Sequence, residues 1–485
     1  MPDDPTHDVP FPTSSSPGLK PQEGGGRLIN AFVEHAPAGA PGDILYKRSP
    51  GLRQVYEQSG NVHTRGFLDC STSLLWIVQD GVYNVTFDGT NLVPTFVGTL
   101  SGNTPVTVAR NNAGTPQNVG VTPDGVFNLF TGGAPTSFAD PDLPVNPTSV
   151  CDLDGYFVWG YPNGSIYASD LNSVNVQALS FDVEQGLFVR RVVRYTRRLF
   201  VFGDKWTGVW RNVGTSPFPF GREATIPRGI AGTFSVAGWE TGWSNELLWA
   251  GDDGIVYKLN GYTPVPISND DVSRDIQTAI LAGDGGLLQA SVYMYGKHAM
   301  WTLTYPDFWT WEFNLTTGEW NERQSYVRDD WRGRQSVRMF SQWLIGDDLT
   351  GKLFRIDGVW KKEADDPLIW TVISGNLTSF PFGVVISKVV FAMTTGVGEV
   401  ESVLEPKVVV SWSLDGGFSY KHPAQRNLRG PGETQQSIVV RNLGLSRGQG
   451  IRFKLEVADA VHVGMFGAKV SVEQRKVGNA TSAGT

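Results

Sequence analysis

The chain has 485 residues, of which 18% are charged and 40% hydrophobic, with 57 Gly, 16 Trp and 26 Phe. That length exceeds one ordinary core, and low charge with abundant glycine and aromatics excludes long solvated helices in favour of short strands and tight turns. A net charge of −8 argues against tight binding to nucleic acid through phosphate neutralisation, and two cysteines, Cys70 and Cys151, read as free thiols.

Residues 1–26 are polar and rich in Pro, Ser and Gly, so they read as a flexible arm. They hold no apolar run that would make a signal peptide, and no stretch of the chain approaches eighteen apolar residues, so no membrane insertion is expected. Order begins at Arg27-Leu28-Ile29-Asn30.

From residue 60 to about 370 one theme recurs: an apolar strand, a turn of the Asp-Gly, Asn-Gly or Thr-Gly kind, and a second strand of aromatic and β-branched residues. The turns sit at Asp80-Gly81, Asp124-Gly125, Asn163-Gly164, Asp253-Gly254 and Thr350-Gly351, with Gly203-Asp204 and a longer turn after Leu303 completing the series. Such pairs supply the positive φ that two-residue hairpins demand. The hairpins begin near residues 75, 119, 157, 199, 247, 299 and 343, a spacing of about 38 to 52 residues that matches four-stranded propeller blades. Seven hairpins predict seven blades, or six if the last two share one. Ser268–Gln277, with a Ser or Asn cap and early acids, predicts a short helix between blades.

The run Arg190 to Arg198 is the one dense basic stretch. It reads as a phosphate-contacting strip or as an alternating strand and turn with solvated arginines. Beyond residue 370 the period stops, and strand candidates at 384–392, 407–413, 436–440, 451–457 and 463–472 suit a small β-sandwich. The expected plan is therefore all-β: arm 1–26, β-propeller 27–370, C-terminal β-sandwich 371–475 and flexible tail 476–485.

Catalytic chemistry is sparse. None of the six His stands in a zinc-type spacing, and no G-x-S-x-G elbow, phosphate-binding loop or Cys-x-x-Cys occurs. No catalytic, cofactor or metal site is assigned; Asp252-Asp253 and Asp347-Asp348 could seat a hard cation but read first as turn chemistry of a repeated hairpin. Trp301 to Trp320 could stack sugars or pack between blades. Ser413 to Tyr420, with Asp415-Gly416 at its turn, resembles the Asp-box hairpin of sialidases. One copy with Tyr in place of Trp leaves a carbohydrate-binding or glycan-cleaving propeller, acting in receptor recognition, as the alternative function.

Over most of its length the chain resembles the packaged-DNA stabilisation proteins, the tail hub or nozzle proteins of short-tailed podovirus phages. The residues that carry this are Leu28 to Glu34, Arg48-Ser49-Pro50-Gly51-Leu52, Thr64-Arg65-Gly66, Val106 to Asn112, Leu199 to Gly203, Pro217 to Phe220, Trp412 to Phe418 and Arg452 to Leu455. The resemblance implies a homohexameric ring below the portal and the head-tail adaptor, with tail spike or fibre and tail needle or plug proteins as neighbours. It implies double-stranded viral DNA passing through the lumen without sequence-specific binding, no enzyme activity and no cofactor. It also implies a place in the virion tail after assembly in the host cytoplasm.

Overall fold

The computed structural model describes residues 6–58, 60, 63–183, 188–379, 382–398, 403–434, 437–446 and 449–475. The expected tail, 476–485, and residues 1–5 of the expected arm lie outside these. The chain forms two compact units, residues 53–308 with 330–356, and residues 1–52 with 309–329 and 357–485.

The first unit is a closed β-propeller. Among the described residues, five antiparallel sheets of four strands follow one another, spanning Thr64–Thr99, Thr107–Phe138, Ser149–Val183, Val189–Ile226 and Val236–Pro266. These are blades 1 to 5. Blade 6 holds the hairpin Gln289–Tyr295 and His298–Tyr305 in this unit, with residue pairs running from Gln289–Thr304 to Tyr295–His298. Blade 7 holds Gly333–Met339, Gln342–Asp347 and Lys352–Asp357, and its fourth strand comes from residues 53–57, ahead of blade 1. An early strand thus completes the last blade, so the ring is closed by sheet hydrogen bonds and leaves no long free edge there.

The hairpins read from the sequence in blades 1 to 5 and 7 are the second and third strands of each blade. The first strands were harder to see. Those of blades 1 and 2, 2 and 3, 3 and 4, 5 and 6, and 6 and 7 lie side by side, and that of blade 7 lies against that of blade 1. Hydroxyls on them stitch the blades. Thr107 Oγ1 accepts from Val150 N at 3.1 Å and Ser149 Oγ accepts from Val192 N at 2.9 Å. Ser336 Oγ accepts from Val292 N at 3.3 Å, across the blade 7–blade 6 seam. Buried hydroxyls that each satisfy a backbone amide cost little and fix register.

Between blades 5 and 6 lies the helix Asp270–Leu281. Its N-cap is Asn269, whose side chain accepts from Val272 N at 2.9 Å, and Asp270 and Asp271 sit in the first turn where the helix dipole favours them. Asn269→Ala is expected to cost about 1 kcal/mol, read as a lower urea midpoint for the propeller with unchanged far-ultraviolet dichroism.

The second unit is a two-sheet sandwich. One sheet orders Ala31–His35, Ile44–Arg48, Gly464–Arg475, Gly383–Met393 and Ile438–Ser446, with Thr6–Asp8 also paired to Gly464–Arg475. The other orders Trp309–Asn314, Glu319–Glu322, Arg27–Ile29, Trp370–Ile373, Arg452–Val457, Lys407–Ser413 and Lys421–Asn427. Leu28, Val389, Phe391, Val410, Phe453 and Val470 fill the space between them, all buried. Strands from both ends of the chain therefore share one core. The described part of the N-terminal segment is tied into it, with Thr6 opposite Ser471 and Ser16 bridged to Gly26.

Candidate functional site

The residues singled out as turns sit at hairpin ends. Gln79 and Asp80 form a turn closed by the Val78–Gly81 pair, and the Asp80 carbonyl accepts from Leu100 N at 2.7 Å. Asp124 lies between the paired residues Thr122 and Gly125, with Gly125 at φ 131°. Asn163 Oδ1 accepts from Ser165 N at 3.0 Å, while Gly164 takes φ 89°. Asp253 Oδ1 accepts from Ile255 N at 3.1 Å beside Gly254 at φ 82°. Thr350 and Gly351 precede the strand Lys352–Asp357, and the Gly351 carbonyl accepts from Gln58 N at 2.7 Å.

In the sandwich, Asp415 organises the Asp-box-like turn. Its carboxylate accepts from Ser413 Oγ at 2.5 Å, Ser419 Oγ at 2.5 Å and Ser419 N at 3.0 Å, while Gly416 and Gly417 take φ 77° and 105°. Burial works to raise this carboxyl's pKa, yet the hydrogen bonds from Ser413 and Ser419 hold it well below the usual carboxylate range. The turn is a local structural knot.

The paired aspartates are already engaged. Asp252 accepts from Lys205 Nζ at 2.7 Å and from Gly229 N at 3.0 Å, and Asp253 also accepts from the Tyr257 hydroxyl at 2.6 Å. Arg332 grips Asp347 with both prongs at 2.9 and 2.7 Å, and Arg334 meets Asp348 at 3.0 Å and Asp330 at 2.7 Å. Among the described residues no group of three or more His, Cys, Asp or Glu is arranged to hold a metal. Trp301 is buried in blade 6 and Trp311 and Trp320 in the sandwich, so none of these three offers a ring face for sugar stacking, while Trp309 is half-buried.

Arginines that accompany the family-like motifs have a role that composition hides: they are buried clamps on backbone carbonyls. Arg65, fully buried, donates to Thr104 O at 2.7 Å, Gln79 O at 2.7 Å, Leu100 O at 2.6 Å and Ser101 O at 3.1 Å. In the sandwich, Arg48 donates to Asp459 O at 2.7 Å, Val461 O at 3.0 Å and Val457 O. Arg452 donates to Asn376 Oδ1 at 3.0 Å and to Gly24 O. Arg65 and Arg48 each convert several loop carbonyls from unpaired acceptors into a fixed junction.

The basic run forms the first strand of blade 4, Val189–Tyr195, followed by a turn at Thr196 and Arg197. Arg190 pairs with Asp204, Arg194 with Asp152 at 2.5 Å and Arg198 with Glu223 at 2.5 Å. The run is thus a strand whose outer arginines are neutralised. Arg191 differs: its guanidinium lies between the rings of Phe234 and Trp239, 5.3 and 5.6 Å from their centroids.

Arg191 faces a cavity of about 490 Å³ lined by residues from blades 1, 2, 3, 4, 5 and 7, which places it on the propeller axis. Glu240 shares this cavity. Burial pushes its carboxyl up to about 7, against the opposing pull of the Gly238 amide and of Arg191. A carboxyl that keeps its proton longer when folded favours the folded state below its folded pKa. Stability of the propeller is therefore expected to fall as pH rises from about 4.5 to about 7 and then level off. Urea midpoints at pH 5 and pH 8 should differ less in Glu240→Gln than in the wild type.

Among the described residues, no helix is long and apolar enough to cross a membrane. No curated protein sequence matches the chain. Among solved structures it is similar to the WD40 β-propeller domain of Doa1, at 10% identity and a TM-score of 0.42, with 63% of this chain and 96% of that chain covered. The sequence pattern of a phage-stabilisation family, described as "Bacteriophage P22 Gp10, beta-propeller", matches residues 39–359, which take in all the blade strands of the first unit. With seven blades closed by an early strand and the match covering about two thirds of its length, the chain belongs to this family of phage packaged-DNA stabilisation proteins.

Proposed function

We propose that the chain is a structural subunit of the virion tail, a nozzle or hub protein that assembles as a homohexameric ring beneath the portal and its adaptor. In this role it retains the packaged genome and conducts it outward at ejection. Family membership over residues 39–359 carries the reading. Rigid, identical blocks joined by heterologous contacts close into rings, and a propeller is such a block. The adaptor, the spikes or fibres and the needle or plug are its expected neighbours, and assembly takes place in the host cytoplasm.

DNA is proposed to pass through the lumen shared by the subunits. A duplex must slide past without being held, and a chain of net charge −8 suits that task. The axial cavity of one propeller, about 490 Å³, has the size of a small-molecule pocket and not of a duplex channel. Membership of a phage stabilisation family supports a non-enzymatic role. Native mass spectrometry with and without the adaptor tests the ring: sixfold assembly supports it, while a monomer under both conditions overturns it.

A further inference from the structure

The axial cavity carries a charge imbalance that the tail role does not use. Arg191 has two guanidinium nitrogens, Nε and Nη1, that are shielded from solvent and have no hydrogen-bond partner. A desolvated guanidinium without an acceptor is costly, so an acceptor oxygen entering the cavity would be stabilised there. Phe234 and Trp239 hold the group in place from either side, which stabilises its charge but supplies no acceptor oxygen.

Neighbouring charges offset it only in part, through the nearby Glu240 carboxyl. Arg110 reaches into the same cavity from blade 2, where its Nη1 meets only the Ser71 hydroxyl at 3.1 Å and the Asp69 carbonyl at 3.5 Å. Arg338 enters from blade 7. On the acidic side, Asp152 is taken by Arg194 at 2.5 Å. Glu240 accepts from Gly238 N at 2.6 Å, and burial raises its pKa to about 7, so near neutrality much of it is uncharged. Guanidinium groups from three blades, those of Arg110, Arg191 and Arg338, thus face the cavity together with the carboxyls of Asp69 and Glu240.

We propose that the axial cavity is a binding site for a small oxyanion, a phosphoryl or carboxyl head group, with the half-buried Arg191 as the anchor and Arg110 and Arg338 closing on it from the rim. Guanidinium forks match such groups in charge and geometry, and a pocket of this volume admits a metabolite-sized molecule. The occupant ties first strands of blades 2, 4 and 7 together across the axis, so binding raises the stability of the propeller.

The test uses the full chain at constant ionic strength, titrated with inorganic phosphate, deoxyadenosine monophosphate and acetate by calorimetry and by thermal unfolding. Saturable binding with a rise in melting temperature is expected for phosphate, and equal affinity for the nucleotide would assign recognition to the head group alone. Acetate binding in place of phosphate would assign a carboxyl ligand. Arg191→Gln should weaken binding about tenfold or more. The double variant Arg110→Gln/Arg338→Gln, which alters more accessible side chains, should weaken it likewise with the fold intact. Arg198→Gln, outside the cavity, should bind as wild type. Absence of saturable binding by all three anions, or wild-type affinity in both cavity variants, would overturn the proposal. Neither result depends on whether the chain forms a ring.

Discussion

Replacing Arg65 with Met is expected to destabilise the propeller by about 3–5 kcal/mol, the cost of breaking a buried charged network. The side chain is fully buried and satisfies four carbonyls, at Gln79, Leu100, Ser101 and Thr104. Those carbonyls belong to the Gln79-Asp80 turn and to the connection leading into blade 2, whose backbone also meets Arg65, since Val106 N donates to Arg65 O at 2.8 Å. Removal strands the acceptors where water enters poorly. Lysine at this position keeps the charge but lacks the planar fork, so Arg65→Lys should recover only part of the loss. Burial already pushes the Arg65 pKa down to about 10, with Asp124 and Asp80 opposing, so it is charged at any physiological pH and the effect should be flat between pH 5 and 8. Guanidinium-induced unfolding of both variants, followed by tryptophan fluorescence, measures this.

Trp76→Ala should cost a comparable amount, about 3–5 kcal/mol, the usual range for emptying a buried tryptophan site. Trp76 lies at the seam where the ring closes. It packs with Leu74, Val78 and Val85 of blade 1 against Met339, Leu344 and Leu353 of blade 7, and Tyr56 of the closing strand meets it edge-on at 6.1 Å. Its indole donates to Thr64 Oγ1 at 3.0 Å. Thr64 in turn presses against Gly346, where a Cβ would overlap the threonine side chain. Loss of the indole leaves both a cavity and an unpaired hydroxyl at the junction. Amide exchange should therefore speed up in Leu74–Val78 and Gln342–Asp347 and change little in Val189–Tyr195 of blade 4. Uniform loss of protection around the ring would show that the seam is not the local weak point.

The two variants also mark how far the sequence could be read. Hairpins were legible because a turn such as Asp253-Gly254 and its flanking strands are contiguous, so local rules suffice. Most first strands were not, because they carry no turn of their own and some, such as Thr107–Arg110 or Val236–Ala237, are short; Val189–Tyr195 showed itself only as an alternating basic run. A signal was nonetheless present. Thr64, Thr107 and Ser149 stand about one blade apart, and all three are buried hydroxyls facing a blade seam or the tryptophan beside it. Pairing of residues 53–57 with blade 7, and of Thr6–Asp8 with Lys469–Ser471, joins distant parts of the chain that no periodicity connects.

Arginine was the residue most easily misjudged. Charged side chains are mostly solvated, so Arg65, Arg48 and Arg452 suggest surface, whereas each is buried on carbonyls. Within the basic run, Arg190, Arg194 and Arg198 are ion-paired as an exposed strand would have them, but Arg191 turns into the axial cavity. A register shift between Val189 and Arg191 breaks the simple alternation on which the reading of one solvated face relied.

In the proposed role the propeller is a building block of a ring whose shared lumen, and not the axis of any one propeller, carries DNA. Cryo-electron microscopy of the chain assembled with its adaptor and a duplex tests it most directly. Six propellers around a weakly charged lumen holding the duplex, with each axial cavity free of DNA, is the predicted result. A monomeric particle, a strongly basic lumen, or nucleic acid threading a single propeller would contradict it.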